Sequence, residues 1–158
     1  MRTHMVVAAA TLALLPAALA AQGVPRLGGE ISFAQQENAG IGLRLEQGLT
    51  PQSVTDLRLL ATFDYFFPNS PLNYWELNTD LAWGFRLPGL SLEMYGGGGL
   101  NMARSSVSGV PRSGVGDVGV NLLLGLRFPT GSRFNPYVEL RPEIGGGNRL
   151  VLTTGILF

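Results

Sequence analysis

The stretch Trp75–Leu87, WELNTDLAWGFRL, changes character at every residue. Trp75, Leu77, Thr79, Leu81, Trp83, Phe85 and Leu87 fall on one side, and Glu76, Asn78, Asp80, Ala82, Gly84 and Arg86 on the other. Successive side chains of a β-strand point to opposite faces, so this period of two predicts a strand with one apolar and one polar face. Asp117–Phe128 repeats the pattern: Val118, Val120, Leu122, Leu124, Leu126 and Phe128 lie opposite Gly119, Asn121, Leu123, Gly125 and Arg127. Leu123 is its one exception. From Leu27 onward Gly or Pro interrupts almost every window, and no helical repeat of useful length survives.

Working outward from these two segments gives an all-β chain of eight strands, at 27–36, 40–49, 56–67, 74–87, 90–103, 117–128, 135–145 and 149–158. Turn chemistry separates them: a two-residue turn at Pro88-Gly89, short loops at Pro68–Pro71 and Pro129–Ser132, and a reversal at Gly145–Gly147. The longest connector, Arg104–Gly116, is Ser/Gly-rich.

Composition narrows the function. Charged residues make up 14% of the 158, against roughly 25% in ordinary soluble domains. The 11 basic residues are all Arg, and they balance 11 carboxylates. Without a basic excess, nothing suggests nucleic acid as a partner. With no Cys there is no disulfide, thiolate metal site or thiol nucleophile.

The N-terminus reads as an export signal. Arg2 and His4 precede the apolar run Met5–Leu15, and Ala18-Leu19-Ala20 has the small-x-small form of a cleavage site. The run is too short for the roughly 20 residues of a spanning helix. Cleavage after Ala20 leaves 21–158 as a single β-barrel domain. It also removes His4, the chain's one histidine.

The charges decide which way the apolar faces point. None falls on the apolar side of the eight strands. The opposite side carries Glu30, Arg44, Glu46, Arg58, Asp64, Glu76, Asp80, Glu93, Arg127, Glu139, Arg141, Glu143 and Arg149. A soluble protein spreads charge over its loops and adds Lys; this chain concentrates it within strands. Trp75 and Trp83 share one face about 26 Å apart along the strand, or about 20 Å in height when tilted by about 40°. That separation suits aromatic girdles around a lipid-facing band about 25 Å tall. Tyr65, Phe67 and Trp75 mark one interface, and Trp83, Phe85, Phe128 and Phe158 the other.

The last strand makes the resemblance specific. Arg149–Phe158 places Leu150, Leu152, Thr154 and Ile156 at alternate positions and ends on Phe158, which resembles the C-terminal signal of bacterial outer-membrane β-barrel proteins. With the export signal and eight strands, the chain resembles the OmpA transmembrane domain and OmpX class. The resemblance implies an antiparallel up-and-down transmembrane β-barrel in the bacterial outer membrane, with membrane lipid and the barrel-assembly machinery as partners, the latter reading the strand that ends at Phe158.

An eight-stranded barrel is just wide enough for side chains to fill it, so its inward charges must pair. Centring each hairpin on its turn places Glu46 opposite Arg58, Arg127 beside Glu139, Glu143 beside Arg149 and Arg86 diagonal to Glu93. It also brings Asp64 near Glu76 and Glu30 near Glu46. Two close carboxylates are what glycoside hydrolysis needs, but the stronger reading is that arginines reach across the lumen to bridge them, which the fork of a guanidinium suits better than an ammonium. Gly96–Gly99 resembles a phosphate loop only in composition, since no Lys-Ser/Thr follows it, and its glycines serve curvature or room for Tyr95. The small barrels that are enzymes call for a catalytic His, which the mature chain lacks. The expectation is therefore a non-enzymatic barrel without cofactor or metal, structural or making surface contacts through Arg104–Gly116. Three other readings stay open: a soluble periplasmic lipocalin-like barrel with its aromatic faces inward, an envelope hydrolase using Asp64 and Glu76, and a narrow conducting pore.

Overall fold

The computed structural model describes residues 24–35, 38–50, 56–67, 72–86, 89–107, 115–145 and 148–158. The eight strands are β1 Arg26–Ala34, β2 Asn38–Gly48, β3 Asp56–Phe66, β4 Leu72–Arg86, β5 Glu93–Val107, β6 Val115–Arg127, β7 Asn135–Ile144 and β8 Leu150–Leu157. Each pairs antiparallel with the next, and β8 returns to pair with β1, so the sheet closes with no free edge. The export segment 1–20 and the Pro68–Pro71 loop lie outside the described residues, as do Pro88 and Gly146–Gly147.

The period of two translates directly into inside and outside. Along β1 and β8 the inward residues are buried except for half-buried Arg26 and Gly155, and the alternates, including Leu27, Ile31, Phe33, Leu150, Leu152 and Ile156, are exposed. Trp83 is 52% exposed although it is among the largest apolar residues in the chain. All thirteen inward charges are buried. The interior of this protein is polar and its surface apolar, the reverse of a soluble fold. Leu123 is buried against Leu60, Ala82 and Tyr95, so the residue that broke the alternation belongs to a small apolar layer inside the barrel.

Two tyrosines are seated on glycines of the neighbouring strand. Tyr95 pairs with Gly125 and Tyr137 with Gly155. A Cβ at Gly125 would run into the Tyr95 ring, and one at Gly155 would lie 2.6 Å from the Tyr137 ring and hydroxyl. Each ring therefore needs the bare backbone beside it in order to lie against the wall.

Three boundaries differ from the sequence expectation. The β4–β5 connection spans 87–92 rather than two residues, because Arg86 pairs directly with Glu93 and Gly89 turns with φ 82°. β5 accordingly runs on to Val107 and takes in Arg104, which lies exposed on the outer face opposite Trp75. The outer side of the strands thus carries one charge after all, at their end. The connector expected at Arg104–Gly116 shrinks to 108–114, outside the described residues. The Pro129–Ser132 loop widens to 128–134, closed by hydrogen bonds from Phe128 N to the Pro136 carbonyl at 2.9 Å and from Thr130 Oγ1 to the Phe134 carbonyl at 2.5 Å.

The walls are unequal. β4 and β5 have 15 residues each, whereas β8 has 8 and β1 has 9.

Candidate functional site

The inward side chains form stacked layers. At the end that carries Arg26 and Phe158, Arg58 and Arg127 each touch the same two carboxylates. Arg58 Nη2 lies 2.5 Å from Glu93 Oε1 and its Nη1 3.7 Å from Glu46 Oε1. Arg127 Nη2 lies 2.5 Å from Glu46 Oε2 and its Nη1 3.3 Å from Glu93 Oε1. Two guanidiniums and two carboxylates thus close a ring of alternating charge drawn from β2, β3, β5 and β6. Asp56 joins it through Arg58, with Nε donating to Oδ1 at 2.6 Å.

Above the ring, Arg44 reaches across the lumen to Glu139, Nη1 to Oε2 at 2.8 Å. Its guanidinium carbon lies 4.5 Å from the centre of the Tyr137 ring and 5.6 Å from that of Tyr95, a cation–π arrangement that holds the charge away from the sheet. The Tyr95 hydroxyl donates to Glu139 at 2.9 Å, and the Tyr137 hydroxyl donates to Glu30.

The third layer centres on Arg141, which touches four carboxylates. Its Nη2 lies 3.0 Å from Asp64 and 3.6 Å from Glu76, its Nε 3.2 Å from Glu143 and its Nη1 3.8 Å from Glu139. Arg149 completes this layer, with Nε 2.7 Å from Glu143 Oε2 and Nη2 on Glu76. Ser32 donates to Asp64 at 2.8 Å and Tyr74 to Glu76 at 2.7 Å. Beyond it an apolar cluster of Ala34, Phe66, Tyr74, Ala103 and Val151 fills that end of the barrel.

The contacts follow simple hairpin pairing only in part. Glu143 and Arg149 meet. Asp64 and Glu76 are direct cross-strand partners, and Arg141 lies between them. Glu46 and Arg58 touch only diagonally, since Leu60 is the residue opposite Glu46. Arg127 does not reach Glu139; Tyr137 pairs with it instead, and Glu139 belongs to Arg44 and Arg141. Glu30 pairs with Gly42 rather than lying near Glu46. Arg86 is directly opposite Glu93 instead of diagonal, and its side chain is 73% exposed, at the rim and not in the lumen. These are differences in where each turn is centred, and apart from Arg86, which leaves the lumen at the rim, none alters which face a residue occupies. Absent from the hairpin reading are Arg44–Glu139, Arg127–Glu46, Arg141–Asp64 and Arg149–Glu76, because each joins strands that are not neighbours. Tyr95 and Tyr137 were missed as hydrogen-bond donors. Their signal was an inward tyrosine facing a glycine.

Among the described residues, two interior carboxylates have no guanidinium within 4 Å. Glu30 is held by Tyr137. Asp80 sits in a patch of carboxamides, Asn78, Asn101 and Asn121, within which Asn121 Nδ2 donates to Asn78 Oδ1 at 3.2 Å.

No family model matches the chain, and no curated protein matches it. Solved structures share its architecture, among them the following three. The N-terminal β-barrel domain of Pseudomonas aeruginosa OprF has a TM-score of 0.63 at 17% identity, covering 84% of this chain and 97% of that one. Neisserial surface protein A has 0.59 at 15%, covering 84% and 94%. The attachment invasion locus protein Ail of Yersinia pestis has 0.52 at 16%, covering 84% and 93%. The fold is that of a small outer-membrane β-barrel. In such a barrel the outer surface is the lipid side, and the aromatics fall at two levels of it. Tyr65 and Phe67 stack edge to face at 5.4 Å, with Trp75 paired opposite Tyr65 and 6.0 Å from Phe63. Trp83, Phe85, Phe128 and Phe158 are exposed at the other level, together with Phe134. A lipocalin-like barrel would turn these residues inward, and they face out. The Asp64–Glu76 pair proposed for hydrolysis is bridged by one guanidinium and flanked by a second.

Proposed function

We propose that the protein is a non-enzymatic integral outer-membrane barrel, exported by residues 1–20, with a structural or surface-contact role. The observation that carries this reading is the inverted polarity of the barrel. Large aliphatic and aromatic side chains are exposed along the strands, and arginines and carboxylates are buried inside. Burial of charge is tolerable only where partners are present, and an exposed apolar belt is stable only against lipid. The two aromatic levels act as girdles at the membrane surfaces. The ion-pair layers and the apolar cluster above them plug the lumen, so the protein is no wide pore. The strand ending at Phe158 addresses the chain to the barrel-assembly machinery, and surface contacts fall to the Arg104–Gly116 segment.

The test is folding of the mature chain from urea into detergent micelles. Unboiled and boiled samples are expected to migrate differently on a denaturing gel, and planar bilayers are expected to record no steady conductance. A folded monomer in buffer without detergent would overturn the proposal.

A further inference from the structure

The two ends of the barrel differ in charge. At the end with Arg26 and Phe158, the carboxylate side chains among the described residues are those of Glu46, Asp56 and Glu93. Glu46 and Glu93 are buried in the ion-pair ring, and Asp56 is joined to it through Arg58. The sequence of the connections at that end, 49–55, 87–92 and 128–134, contains no acidic residue. At its rim this end carries Arg86 and Arg133, both exposed, and Arg26, which is half-buried and lies opposite Glu46. The opposite end is mixed, with Asp117 exposed as well as Arg104.

Arg86 is the best placed of the three. Its side chain is 73% exposed and lines a recess of about 290 Å³ with Leu90, Ser91, Leu92 and Pro129. Glu93 also borders the recess, but its Oε2 is 4.0 Å from Arg86 Nε, and its Oε1 already faces Arg58 at 2.5 Å and Arg127 at 3.3 Å. The planar fork of Arg86 is thus left largely uncommitted, beside a hydroxyl and above apolar walls. It follows Phe85 in the chain, at the level of the Trp83 and Phe128 girdle, which is where lipid headgroups meet the barrel. Guanidinium donors match phosphate oxygens in pairs, and basic residues at a membrane surface draw anionic lipid.

From this we infer that the rim at the Arg26 and Phe158 end binds the phosphate of an anionic phospholipid, with Arg86 as its anchor in the 290 Å³ recess and Arg26 and Arg133 supplying the surrounding positive field. This rests on the membrane-spanning reading above. The hydrocarbon tails lie along the girdle aromatics, and the headgroup sits over Ser91.

The test is a titration of the detergent-folded full mature barrel with phosphatidylglycerol, phosphatidylcholine or inorganic phosphate, read by native mass spectrometry. Phosphatidylglycerol is expected to be retained in preference to phosphatidylcholine. Arg86→Gln is expected to weaken that retention roughly fivefold, Arg86→Lys to keep most of it, and the triple change Arg26→Gln, Arg86→Gln, Arg133→Gln to remove the preference. Equal retention of the two lipids, or an Arg86→Gln variant that binds as the parent does, overturns the inference. So does inorganic phosphate binding as tightly as the lipid. Heat-dependent gel mobility of each variant reports its fold independently. A parent that fails to fold into detergent sinks the membrane-spanning reading; a folded parent with no lipid preference sinks only this site.

Discussion

Arg141 on β7 reaches across the lumen to Asp64 on β3, Nη2 to Oδ2 at 3.0 Å, with both side chains fully buried. The same guanidinium touches Glu76, Glu139 and Glu143. Replacing it with Met, of similar length and no charge, leaves four carboxylates facing one another in a closed interior. Breaking a buried pair by removing one partner costs about 3–5 kcal/mol. Arg141→Met is expected to lower unfolding free energy by about that much, measured by urea titration of the barrel in lipid vesicles. A loss below about 1 kcal/mol would show that the hub is dispensable.

The charge ring makes a pairwise prediction. Arg127 contacts Glu46 and not Glu139, so a double-mutant cycle on Arg127→Met and Glu46→Gln should give a coupling of about 0.5–3 kcal/mol. The same cycle on Arg127 and Glu139 should give markedly less. If the second coupling equals the first, β6 and β7 are registered two residues away from the pairing described.

Glycine positions separate by what lies over them. Gly125 is covered by the Tyr95 ring, while a Cβ at Gly29, on the outer face, meets nothing within 4 Å. Gly125→Ala is expected to destabilise by about 1–3 kcal/mol through displacement of the ring. Gly29→Ala should leave the urea midpoint nearly unchanged. Reversed magnitudes would contradict the seating of Tyr95 on Gly125.

Leu100 is exposed on the outer face and pairs with Thr79, halfway along β4 between Trp75 and Trp83. An arginine at the middle of a lipid-facing band costs about 2–4 kcal/mol and falls toward zero near the interfaces. Leu100→Arg is therefore expected to cost about that much in vesicles, and Phe85→Arg much less. Equal costs would remove the assignment of Trp75 and Trp83 to opposite membrane surfaces.

The sequence was most informative about facing and least about distance. Of the charges that parity assigns inward, thirteen are buried, because the side of a strand depends only on parity. The hairpin errors, two positions at Arg58 and Arg127 and four at Glu30, are even numbers, and an even slip returns every side chain to its own face. That is why the fold survived turns placed wrongly. Arg86 failed for a different reason: parity assigned it to the lumen, but β4 ends there, and a side chain at the rim is free to leave. The cross-lumen contacts of Arg44 and Arg141 depend on how a closed sheet brings β7 against β2 and β3. No local pattern encodes that.

Arg149 lies just before β8 and binds Glu76 on β4; Arg141 on β7 binds Asp64 on β3. Each pair spans more than seventy residues of chain and half the circumference, so neither forms in an open sheet. Until β8 meets β1, the inward faces have only their hairpin neighbours, and a partly assembled sheet would offer bare charges to hydrocarbon. Neutralisation of the interior and closure of the barrel are therefore the same event in assembly, and the curled sheet has a reason to finish in one step.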